Sequence, residues 1–145
     1  MDKSEDVEIQ YWSNGNKRSE VHLKNGIAEG LRTDWYESGA KKMECRNKTW
    51  EDRLGNTYTN LHGKKTEWYE SGVKKSECKY STGRIIGIAN TWYESGQIEF
   101  EIPFEVGVRH GVEIKWSESG TIESEDFYEK GSPKGKLSLN YTSKK

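Results

Sequence analysis

The sequence is short of the material that fills a globular interior. Hydrophobic residues make up 31% of its 145 residues, against about 45–50% (a figure that also counts Gly) in ordinary domains. A thick two-layer core cannot be filled from that supply. Proline and cysteine occur twice each, which leaves no disulfide framework of the kind that staples small secreted domains. No apolar run approaches the roughly 18 residues of a membrane span, so no membrane insertion is expected. The first six residues, Met1 to Asp6, hold three acids and no apolar stretch. No signal peptide is therefore expected, and a cytoplasmic location is. The three histidines, His22, His62 and His110, are scattered. No Cys/His spacing suits zinc, and no glycine loop opens a phosphate-binding helix. No catalytic residue, metal or cofactor is expected. The formal net charge of −1 provides no overall field for nucleic acid or a membrane surface.

Aromatic and charged residues are plentiful by contrast. Aromatics are 12% of the chain, with six Trp and eight Tyr, and charged residues are 32%. Disordered chains are poor in aromatics, so the composition predicts order, with large flat rings doing most of the burying. Charge is unevenly spread. Ile88 to Glu129 carries ten acids and two bases, whereas Lys130 to Lys145 carries five lysines and no acid. A partner can feel such patches separately.

The aromatics recur in a frame. Trp35-Tyr36-Glu37-Ser38-Gly39 is repeated at Trp68, at Trp92 and, as Trp-Ser-Glu-Ser-Gly, at Trp116, with a worn copy at Tyr11-Trp12-Ser13-Asn14-Gly15. The lead residues are 24, 33, 24 and 24 apart, and a fixed period of this length signals a repeat array. Gly stands four residues after every lead and Glu nine after (Glu20, Glu44, Glu77, Glu101, Glu125). A second Gly precedes each next unit by five, at Gly30, Gly63, Gly87, Gly111 and Gly135. Four units have another Gly four residues earlier still. The second has Thr59 there, and nine extra residues that include Trp50 and Gly55. The units are 11–34, 35–67 with the expansion, 68–91, 92–115 and 116–139, and a terminal strand and basic tail occupy 137–145.

Each unit is a hairpin in prospect. Glu-Ser-Gly is a three-residue loop closed by a left-handed Gly, and Gly-x-x-x-Gly is the next turn. The fold predicted is all-β: a single-layer, twisted antiparallel meander of about five hairpin repeats, ten or eleven strands and essentially no helix. Such a loop sets the lead Trp opposite the residue six on. Simple alternation then puts the residues eight, ten and twelve on (Phe100, Ile102 and Phe104 in the fourth unit) on the Trp face. The other face receives Tyr36, Tyr69 and Tyr93, the Glu column and the residues seven on. Cys45 and Cys78 fall at the same place in successive units, roughly 9–10 Å apart across two strands, too far for a disulfide. They are expected reduced, as small apolar fillers. A Glu that recurs in every unit is expected to pair with neighbouring Lys or Arg rather than to catalyse, and His62 and His110 are expected to be solvated turn residues.

The repeated Trp-Tyr-Glu-Ser-Gly, the Lys-Lys-x-Glu strand and the Gly-x-x-x-Gly turn together resemble the MORN-repeat variant found in bacterial proteins of the YwqK-type antitoxin group. The resemblance runs from about Gln10 to Asn140. It implies a protein that neutralises a partner.

Absent chemistry and a long surface point to binding. The first function considered is a protein-binding inhibitor of the antitoxin or immunity type, acting on a toxin or nuclease effector. A close variant is a phage-encoded inhibitor of a host nuclease defence effector. Its candidate surface is Trp35, Trp68, Trp92, Trp116, Tyr36, Tyr69 and Tyr93, with an acidic patch of Glu99, Glu101, Glu123 and Glu125. A second is a nucleic-acid or phosphoinositide binder using a basic stripe of Lys17-Arg18, Lys41-Lys42 and Lys74-Lys75 beside aromatics. A third is a homo-oligomerising scaffold that pairs terminal strands near Glu8–Trp12 and Leu137–Thr142.

Overall fold

The computed structural model describes residues 4–137, and these form one open antiparallel sheet without a helix. In chain order the strands are β1 (Glu5–Tyr11), β2 (Lys17–Lys24), β3 (Ile27–Trp35), β4 (Lys41–Glu51), β5 (Thr57–Leu61), β6 (Gly63–Trp68) and β7 (Lys74–Ser81). They continue with β8 (Arg84–Trp92), β9 (Ile98–Glu105), β10 (Val108–Arg109), β11 (Gly111–Trp116), β12 (Ile122–Glu129) and β13 (Ser132–Lys136). Neighbours in sequence are neighbours in the sheet, as a meander requires. The strands fill eleven positions because β5 and β6 lie end to end along β4, and β10 and β11 along β9. Of the sequence-proposed terminal pairing strands, the first is β1. Leu137 follows the last described strand, and 138–142 lie outside the described residues.

Turn chemistry sets the register. Tyr36 N–H donates to the Ala40 carbonyl at 2.8 Å and Gly39 N–H to the Tyr36 carbonyl at 2.9 Å. The pattern recurs at Tyr69, Tyr93 and Ser117, so Glu-Ser-Gly is the three-residue loop expected, with Gly39 at φ 92°. The lead residue is opposite the residue six on in every unit. The second turn is a two-residue one. Asn25–Gly26, Thr82–Gly83, Val106–Gly107 and Lys130–Gly131 all have positive φ at both residues, the mirror-image geometry that matches strand twist. The second unit lacks that turn. Its extra residues prolong β4 and return as β5 through Asp52–Asn56. There Asp52 N–H donates to the Asn56 carbonyl and Gly55 N–H to that of Asp52. The insertion thus copies the first turn rather than the second.

The face assignment needs correction. Trp35 faces Lys41 but Asp34 faces Met43, which leaves an extra residue at Lys42. The same register shift follows the lead pair in the other units. A bulge of one residue reverses which face every later side chain takes. Residues eight, ten and twelve on, Met43, Cys45, Phe100 and Ile102 among them, therefore stand on the Tyr face. The Glu column stands on the Trp face, where Lys41 Nζ meets Glu44 at 2.9 Å and Thr66 Oγ1 donates to Glu77 at 3.3 Å.

There is hardly an interior. Cys45 is the single buried hydrophobic residue among those described, beside buried Ser19, Thr33, Thr66 and Glu113. The accessible surface is 9964 Å², against roughly 7,600 Å² for a compact protein of this mass. Both cysteines are free, and burial raises both thiol pKa values above the ordinary range.

Candidate functional site: two aromatic faces

Each face carries an aromatic column, and the two are fixed by different contacts. On the Tyr face the second aromatic of each of the first four units donates to the carbonyl of the next lead residue. Trp12 Nε1 bonds Trp35 O at 3.1 Å. Tyr36, Tyr69 and Tyr93 hydroxyls bond Trp68, Trp92 and Trp116 O, each at 2.8 Å. Every link crosses two strands, so the chain of bonds locks successive hairpins together. Burial, with nearby Glu side chains, raises the three phenols above their ordinary value. Ser117 stands where the fifth unit would have Tyr, and its hydroxyl bonds Ser119 and the Thr121 amide locally instead.

The Lys pairs do not form one basic stripe. The bulge sends the first of each pair to the Trp face and the second to the Tyr face. Lys17, Lys41 and Lys74 bond Glu20, Glu44 and Glu77 at 2.6, 2.9 and 2.8 Å. The same ammoniums lie over the rings of Trp35, Trp68 and Trp92 at 5.6, 5.5 and 5.3 Å. Arg18, Lys42 and Lys75 lie over Trp12, Tyr36 and Tyr69 at 4.9, 5.4 and 5.5 Å. Exposed cation–aromatic contacts are worth about 0.5–1 kcal/mol. They hold these side chains flat on the sheet.

The expected acidic patch is divided as well. Glu99 accepts from Thr91 Oγ1 at 3.1 Å and Glu123 pairs with Lys115 at 2.8 Å, both on the Tyr face. Glu101 and Glu125 flank Ile114 in register on the Trp face. The sheet therefore brings Trp35, Trp68, Trp92 and Trp116 together with Glu101 and Glu125. It groups Tyr36, Tyr69 and Tyr93 with Glu99 and Glu123.

The histidines depart from expectation. His62 Nδ1 is buried without a partner, as is Trp50 Nε1, and the two rings meet edge-on with centroids 5.4 Å apart. His110 Nδ1 accepts from Lys130 N–H at 3.2 Å. Simple solvated turns would show neither. Trp50 was visible in the expansion, but nothing in the sequence linked it to His62. Among the described residues no group of three or more His, Cys, Asp or Glu is placed to hold a metal, and no helix is long and apolar enough to cross a membrane.

The MORN repeat variant family model matches residues 7–25, 61–81, 86–105 and 109–130, together more than half of the chain. Each of the four matched segments contains a lead hairpin. The unmatched stretch 26–60 holds the expanded hairpin. No curated protein matches the chain.

Proposed function

Because the chain belongs to the MORN repeat variant family, whose repeats are generally protein- or membrane-binding modules, we propose that it is a non-catalytic protein-binding module. It acts in the cytoplasm by neutralising a partner protein, a toxin or nuclease effector, in the manner of an antitoxin or immunity protein. The observation that carries this function is the single layer with almost nothing buried. Two rigid aromatic columns are held in place by hydrogen bonds and stacked cations, yet no second layer among the described residues covers them. Pre-ordered, partly apolar surfaces of this kind bind at low entropic cost.

The test is recovery of a stoichiometric protein from the native host on immobilised wild type, followed by assay of that protein's own activity with and without this chain. Capture together with inhibition supports the function. A captured protein whose activity is unchanged refutes neutralisation, and the absence of any stoichiometric protein refutes protein binding.

A second function is favoured by Arg18, Lys42 and Lys75. None has a carboxylate within 4.0 Å among the described residues, and each lies on an aromatic ring. Cations beside stacking surfaces suit single-stranded nucleic acid or a phosphorylated headgroup. Loss of a salt-sensitive gel shift in an Arg18→Ala/Lys42→Ala/Lys75→Ala variant would support it. No shift in wild type at low salt removes it.

A further inference from the structure

The Trp face is complete in one half of the sheet and open in the other. In units one to three each Glu of the column is bonded by the lysine three residues earlier, and that lysine covers the next lead Trp. In units four and five Ile98 and Ile122 take the lysine's place. The ion pairs described in this half are Arg109–Glu113, His110–Glu105, Lys115–Glu123 and Lys134–Glu129, and none reaches Glu101 or Glu125. The adjoining row changes in the same sense. Lys64 faces Lys79 in the third hairpin, whereas Ile88 faces Pro103 and Val112 faces Phe127 in the fourth and fifth. Ile88 is 53% exposed, Phe127 37% and Ile122 36%. An apolar field thus adjoins two carboxylates that lack the cation their repeat supplies elsewhere.

We propose that this half of the Trp face docks a basic, apolar segment of a protein partner, whose Lys or Arg side chains supply Glu101 and Glu125 with the missing cations. The inference rests on the protein-binding function above and assigns its surface and the partner's chemistry. Charge complementarity selects the occupant. Counting both faces, the stretch from Ile88 to Glu129 carries ten acids and two bases, and on the Trp face Glu101 and Glu125 flank Ile114 without the repeat lysine, which repels anionic lipid and nucleic acid and attracts a cationic segment. The apolar residues contribute through burial, while the carboxylates fix which segment is accepted.

The test uses a fluorescein-labelled peptide alternating Lys and Val, an alternating Glu and Val counterpart, and phosphatidylserine vesicles. Binding is read by fluorescence anisotropy and by vesicle co-sedimentation. The variant is Ile98→Lys/Ile122→Lys, which installs side chains the repeat already carries in units one to three and so keeps the fold, as circular dichroism would check. Leu54→Lys/Tyr58→Lys adds the same charge on the inserted hairpin. The expected result is Lys–Val binding that weakens tenfold or more in the Ile98/Ile122 variant and stays within twofold in the hairpin variant. The Glu–Val peptide and the vesicles should not bind. Equal weakening in both variants, no weakening in either, or vesicle binding in place of peptide binding overturns the proposal. So does a tenfold gain on removing residues 138–145, which would make the chain's own basic tail the occupant. A stoichiometric native partner that still binds the Ile98→Lys/Ile122→Lys variant overturns this site while the protein-binding function stands.

Discussion

Units one to three and units four and five share one backbone but differ in whether the Trp face satisfies itself. In the first half Lys17, Lys41 and Lys74 each serve a carboxylate and a ring at once. In the second half Ile98 and Ile122 leave Glu101 and Glu125 without that partner. A repeat fixes the turns and the register, and one column of side chains then decides whether the Glu column is paired within the sheet or lacks that pairing. The same fold can hold a structural half and an interactive half because each hairpin contacts only its neighbours.

The strongest way to break the contrast is to make the first half resemble the second. Lys41→Ile/Lys64→Ile/Lys74→Ile should open Glu44 and Glu77, the latter held by both Lys64 and Lys74, and create a second apolar field. Calorimetry with the Lys–Val peptide should then show about two sites instead of one. Unchanged stoichiometry would mean that the column does not decide binding. The Tyr-face bonds, common to both halves, give the next effect. Tyr69→Phe should cost about 1 kcal/mol by losing the bond to the Trp92 carbonyl. Ser117→Ala, outside that chain of bonds, should stay within about 0.5 kcal/mol. Chemical denaturation of both variants compares them.

The inserted hairpin belongs to neither pattern. Deleting residues 48–56, with Tyr58→Asn and Thr59→Gly to restore a two-residue turn, should keep the sheet and change stability by no more than about 1 kcal/mol. Collapse of the circular dichroism spectrum would show that β4 depends on the insertion. The smallest effect is acid sensitivity of the first half. The Lys17 hydrogen bond holds Glu20 below its ordinary 4.5, and the Lys74 bond does the same for Glu77. Both contributions are complete above pH 4.5 and fade as pH falls through the lower folded values. Exposed pairs are worth about 0.2–1 kcal/mol, so Glu77→Gln should lower stability slightly at pH 7 and flatten its fall below pH 4.5. Melting curves between pH 7 and pH 3 would read this.

The Glu-Ser-Gly turns, the lead register and a meander of ten or eleven strands were legible because glycines announce themselves at fixed offsets, but the Gly-x-x-x-Gly turn was drawn too wide: it is two residues ending at the first Gly, and the second Gly stands in a strand. The faces were not. The bulge at Lys42 carries no glycine, and two consecutive lysines look alike whether they share a face or part to opposite ones. That bulge, at Lys42 in the second unit and again at Glu99 in the fourth, moved Met43, Cys45, Phe100 and Ile102 to the Tyr face and divided the acidic and basic groups. The bonds from Tyr36, Tyr69 and Tyr93 were hidden for a different reason. Their acceptors are backbone carbonyls, which leave no mark in composition. The loss of lysine at Ile98 and Ile122 was plain in the sequence, but its meaning needed the observed contacts of Lys17, Lys41 and Lys74.

The most direct test of the account is hydroxyl-radical footprinting of the chain with and without its captured native partner. Protection should fall on Trp116, Ile122 and Phe127, with Trp35 and Trp68 unchanged. Protection confined to Trp12, Tyr36 and Tyr69 would contradict it and move the interactive surface to the Tyr face of the first half.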